Sequence, residues 1–213
     1  MEDIVKIVQI CFYVTASIVA VLTFIKAKNG LLNSVNTEYQ KRVMDRLASL
    51  SDELWSEFDN DSPNYWIKTD SVKEVLDRIH KDALPHKHEI ITNSLEIPGI
   101  PVPEMVVNLE ANISRIKSDP FIPTKIRQKV IDLLLRRVSA MSEVFHVEIK
   151  KYQQDLTEGK HWETIDTNHH WLHNKINEGL YERGCGISHI EESAHELRLE
   201  IQKYFEQFNP IKS

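Results

Sequence analysis

The chain has 213 residues, enough for one hydrophobic core and short for two full domains; 41% of its residues are hydrophobic and 27% charged, with only 6 glycines and 8 prolines. That composition excludes collagen-like and disordered chains and suits long helices. The formal charge is −6, and the acidic excess persists when the first 25 residues are set aside, which argues against a nucleic-acid binder, since such a protein needs a basic face to neutralise phosphates.

From Ile7 to Ile25 the chain carries no charged side chain. As a helix this run spans roughly 28 Å, close to the hydrocarbon thickness of a bilayer. Only Gln9, Thr15, Ser17 and Thr23 are polar among its non-aromatic residues, and hydroxyls can bond back to their own helix carbonyls. A cleaved signal peptide would start basic and end at small residues, whereas this segment starts Met1-Glu2-Asp3 and ends Phe24-Ile25-Lys26-Ala27-Lys28. The alternatives are a single-pass signal anchor and a buried core helix, and the anchor is the expectation. Lys6 alone precedes the span, while Lys26, Lys28, Lys41, Arg42 and Arg46 follow it. Positive charge stays inside, so the amino terminus is expected outside and the carboxy-terminal part in the cytoplasm. The division expected is an anchor over residues 1–28 and a cytoplasmic α-helical domain over 29–213. Cys11 lies in the span and Cys185 near the far end, so a disulfide-stapled secreted fold is excluded.

Beyond the span, Tyr39, Val43, Leu47, Leu50, Leu54 and Phe58 recur every three or four residues, one face of a helix able to pack in cis or, coiled-coil fashion, against a second copy. Asn33-Ser34 and Asn36-Thr37 offer start signals, Gly30 is the only strong breaker, and Asp59 to Pro63 end the pattern. Thr69 or Asp70 then caps a short helix with Val72, Val75, Leu76 and Ile79, stopping by Pro85. A less regular stretch follows, with His86 and His88 in a solvated loop and Ile97 to Pro103 as an extended proline-rich connector. Met105, Leu109, Ile113 and Ile116 mark the next helix, ended by Asp119-Pro120. Thr124 to Thr157 is the longest pattern, with an apolar arc wide enough for several neighbours, and is expected at the centre of a bundle. Leu172, Ile176 and Leu180 define another helix, broken at Gly184-Cys185-Gly186. Ser188 and Glu191 form an S-x-x-E capping box for the last helix, whose stripe runs from Ile190 through Leu197 to Phe208 and closes at Asn209-Pro210. The fold class expected is therefore all-α: one transmembrane helix and a bundle of about five to six helices.

Six of the ten histidines, His161, His169, His170, His173, His189 and His195, lie in the last quarter of the chain. His169 and His173 are four apart and share a helix face, the geometry a metal ion takes from two imidazoles, with Glu163, Asp166 or His161 as a third ligand. Zinc is the metal such a set would hold. Hydrogen bonding in or near the core is the plainer expectation, because His169 to His173 lacks the glutamate of an H-E-x-x-H metalloprotease helix. The E-x-x-H pairs Glu143/His146 and Glu192/His195 match the spacing of di-iron bundles, but a helical wheel turns both away from the apolar stripes, so they are expected on the surface. Arg183 and His189 have a spacing that resembles the R-x(4–6)-H pattern of HEPN-type ribonucleases, over those two residues alone, with Gly184 where that family commonly carries a polar residue. The resemblance implies an RNA-cleaving pair. No glycine-rich phosphate loop, G-x-S-x-G elbow or C-x-x-C pair is present.

These observations point to a membrane-anchored helical interaction or scaffold module, with the lipid bilayer and a protein partner or second copy as its contacts and no nucleic acid. A membrane-tethered metal-binding protein or hydrolase using the carboxy-terminal histidines is the alternative.

Overall fold

The computed structural model describes residues 2–68 and 70–208. Among these are seven α-helices and no strand: α1 (Glu2–Trp55), α2 (Ser71–Ala83), α3 (Lys87–Asn93), α4 (Glu104–Lys117), α5 (Thr124–Thr157), α6 (Asn168–Glu182) and α7 (Ile187–Glu206), with 3-10 turns at Trp66–Lys68 and Leu84–His86. The all-α class follows from the sequence patterns and is the class observed. The chain divides into two compact units, Met1–Arg46 and Leu47–Ser213.

The first unit is helical throughout its described residues. Gly30 does not interrupt α1, and the start signals at Asn33-Ser34 and Asn36-Thr37 are not used as caps. Instead the Thr37 hydroxyl donates to the Asn33 carbonyl one turn back (2.8 Å), as Thr23 does to Val19 (2.8 Å). Each hydroxyl thus satisfies itself within the helix, without help from another segment. The large isoleucine, valine, leucine and aromatic side chains between Ile7 and Ile25 lie on all sides of the helix and are exposed, from 46% at Ile25 to 69% at Phe12 and Phe24. A core helix would hide at least one face. Here α1 is the one helix among the described residues long and apolar enough to cross a membrane, and its most apolar 18-residue window has no residue buried.

In the second unit Asp70 caps α2, its carboxylate accepting the Lys73 amide N–H at 2.9 Å; the other cap candidate, Thr69, lies outside the described residues. His88 belongs to α3 rather than to a loop, and α3 is a helix the sequence patterns did not reveal. It ends where Ser94 turns left-handed (φ 52°). Residues 94–103 then run without regular structure. Gln153 of α5 donates to the Gly99 carbonyl (2.7 Å), and Arg78 of α2 donates to that of Val102 (3.3 Å). Proline at the residue before α4 and before α5 fixes the entry of both helices.

Helix α5 packs against α3, α4, α6 and α7. Its buried residues include Val130, Leu134, Met141, Phe145, Ile149, Tyr152 and Leu156, each contributing about 1.5–3 kcal/mol by leaving water. The stripe of α7 is buried at Ile190, Ala194, Leu197 and Ile201 as expected, but its capping box does not form. The helix starts two residues before Ser188 would cap it, with Gly186 at the cap position, and the Ser188 hydroxyl points to that of Tyr181 (3.5 Å). Gly186 lies against the Tyr181 ring, where a Cβ atom would come within 2.6 Å of the aromatic carbons. Asn209-Pro210 lies outside the described residues.

Candidate functional site

Two polar constellations lie inside the second unit, and neither is the one the histidine spacing suggested. The first is built on Tyr152 of α5, which is fully buried. Its hydroxyl lies 2.7 Å from His80 Nε2 on α2 and accepts a hydrogen bond from Asn168 Nδ2 at the start of α6 (2.9 Å). Asn168 also donates to the His161 carbonyl (2.9 Å), while its own Oδ1 accepts from the Thr164 hydroxyl (2.8 Å) and the Trp171 indole N–H (3.4 Å). The carbonyl can only accept and the indole can only donate, so the amide fits one way round. His161 takes a left-handed backbone (φ 64°) after Gly159 (φ 83°), which carries the chain back over the end of α5 and sets the His161 ring 5.1 Å from that of Trp171. Burial pushes the Tyr152 phenol up to about 12, against the opposing effect of the Asn168 hydrogen bond. Burial also lowers the His80 pKa from its ordinary 6.5, outweighing the nearby charge of Asp77.

The second constellation joins distant segments. Arg137, in the middle of α5, makes a two-pronged ion pair with Glu57 just beyond α1, at 2.8 and 2.6 Å, with the arginine side chain only 9% and the glutamate 23% exposed. Planar guanidinium and carboxylate groups match in such a pairing, which fixes both side chains. Arg137 also borders a cavity of about 120 Å³ walled by Trp66, Met105, Met141, Phe145, Ile176 and Ile190. Ser71 and Met105 border both this cavity and an open groove of about 1150 Å³. Asp52, Glu53, Glu57, Asp70, Glu74 and Glu104 line the groove, with Arg115 bound to Glu53 (2.9 Å) and Arg78 to Glu74 (2.6 Å). A wall of that charge disfavours phosphate and other anions.

The sequence-derived metal set is not gathered. His169 and His173 are half-buried and Glu163 is exposed. The His169 ring lies 3.9 Å from that of His170, and His173 Nδ1 is 3.9 Å from Asp70, which already caps α2. Among the described residues no three histidine, cysteine, aspartate or glutamate side chains converge on a point where a metal ion would sit. Glu143, His146, Glu192 and His195 are all exposed, as their helical angles required. Arg183 reaches Glu143 (3.6 Å) and the Gly179 carbonyl (3.1 Å), whereas the His189 ring packs edge-on to Tyr181 (5.5 Å). The residues that spacing did not single out, Tyr152, Asn168, Arg137 and Glu57, form the best-connected polar groups.

Compared with protein-family models, curated proteins and solved structures, the chain matches none.

Proposed function

We propose that this protein is a membrane-tethered helical interaction module. The anchor ends near residue 28, the amino terminus lies outside, and residues 29–213 form the cytoplasmic part. The observation that carries this reading is the unburied apolar surface between Ile7 and Ile25. In water that surface would draw a heavy hydrophobic penalty; in lipid its isoleucine, valine, leucine and phenylalanine side chains each favour insertion by about 0.3–0.6 kcal/mol. The five basic residues from Lys26 to Arg46, against Lys6 alone on the other side, support the orientation. A tether confines a domain to a thin layer and raises its effective concentration toward other membrane-bound partners, which is the physical advantage of holding a binding surface this way.

Cell fractionation tests the reading. The protein is expected in the membrane pellet and resistant to alkaline carbonate, with the carboxy-terminal part digested by protease only when the cytoplasmic face is open. Recovery in the aqueous fraction without detergent would refute the tether, and protection of the carboxy-terminal part in inverted vesicles would refute the orientation.

A further inference from the structure

Between Lys26 and Arg46 the exposed large apolar side chains are Leu31 (70%), Leu32 (56%), Val35 (66%) and Tyr39 (46%). At 100° per residue all four fall within one 100° arc of α1. They continue a register that begins inside the candidate span: Ile18, Val21, Ile25, Lys28, Leu32, Val35 and Tyr39 alternate at intervals of three and four, the a/d spacing of a coiled coil. The uninterrupted helix from Glu2 to Trp55 carries that register across the membrane edge without a break in phase.

We infer that this seam is a parallel self-association surface whose partner is a second copy of this chain in the same bilayer, an inference that rests on the membrane tether. Two considerations select a second copy. The part of the seam in water, Leu32 to Tyr39, is about 10 Å long, and its three side chains with Leu31 beside them fall well short of the roughly 800 Å² per partner of a stable soluble interface. Only a partner that also supplies the seam within the bilayer, about 32 Å from Ile18 to Tyr39, makes up the difference. Two copies inserted with the same charge asymmetry emerge parallel and at the same height, so identical seams meet in register without a search. The charges on the seam do not oppose this. Lys28 lies at the membrane edge, where its ammonium reaches the head groups, and Arg42 is bound on its own helix by Glu38 (3.2 Å).

Single cysteines introduced at positions 31 to 40 of the full-length protein, in a Cys11→Ser, Cys185→Ser background, test the inference by oxidation in native membranes. Disulfide-linked dimer is expected to peak for Leu32→Cys, Val35→Cys and Tyr39→Cys and to fall to background for Asn33→Cys, Thr37→Cys and Gln40→Cys on the opposite face. Adding Leu32→Glu and Val35→Glu to Tyr39→Cys should reduce cross-linking about fivefold, the effect of about 1 kcal/mol. Membrane-pelleted protein with a flat or absent cross-linking profile overturns self-association and leaves the tether standing. Protein found in the aqueous fraction overturns both.

Discussion

The stretch from Ile7 to Ile25 and helix α5 are both rich in isoleucine, valine and leucine, yet they meet opposite fates. In α5 the apolar residues occupy part of the circumference, the rest carries charges such as Lys129, Asp132 and Lys150, and the apolar part is buried against four other helices. Around the amino-terminal stretch apolar residues occupy every side, and no protein covers them. The amino-terminal stretch is also the more apolar of the two, since it carries no charged side chain at all. What separates them is whether a polar face remains to meet water, because a helix without one has no orientation that satisfies an aqueous surface.

That contrast can be broken experimentally, and the largest effect belongs to the span. Val14→Arg with Ile18→Arg costs about 5–7 kcal/mol of insertion free energy at mid-membrane. The double variant should leave the membrane pellet while the melting temperature of the helical part, followed by circular dichroism, stays within a few degrees. Arg137→Ala is expected to do the reverse. It leaves Glu57 without its partner in a largely buried position and should cost about 2–4 kcal/mol in denaturant unfolding, with no change in membrane pelleting. A shift of both readouts in either variant would mean that the two regions do not answer to separate solvents.

The tyrosine network sharpens the comparison at smaller amplitude. Tyr152→Phe removes the group that His80 and Asn168 both bond and should destabilise by about 1–3 kcal/mol. Because burial holds His80 below its ordinary pKa of 6.5, the unfolded chain takes up a proton first as the solution is acidified. His80's stabilising contribution is therefore complete above pH 6.5 and is lost as the pH falls from there through the folded-state value. Melting curves between pH 7.5 and 5 should show this decline, and His80→Asn should flatten it. The smallest effects separate two helix starts: Asp70→Ala should cost about 1 kcal/mol, whereas Ser188→Ala should stay within about 0.5 kcal/mol because its hydroxyl caps nothing.

Helical periodicity made most of the fold legible. The burial of Val72, Val75, Leu76 and Ile79, the long reach of α5 and the outward direction of the E-x-x-H pairs all follow from positions three and four apart in one helix. Helix α3 escaped because seven residues with a single buried side chain, Ile90, leave no repeat to detect. The capping box failed for a local reason: Gly186, packed on Tyr181, starts the helix before Ser188 can act. The polar clusters were illegible because their members are far apart in sequence. Glu57 and Arg137 are 80 residues apart, and His80 and Tyr152 are 72 apart. Nothing in the spacing of such residues announces that they will meet. The histidines that did stand out by number are half-buried or exposed side chains spread over α6, its approach and α7.

The fixed orientation of the Asn168 amide reaches further than its own bonds. With that amide donating to the phenol oxygen, the phenol hydrogen finds an acceptor in the near imidazole nitrogen, Nε2, when the imidazole holds its single hydrogen on the far nitrogen, Nδ1. The tautomer on one helix is thereby coupled to an indole on another, and nitrogen chemical shifts of His80 would record which form the network holds.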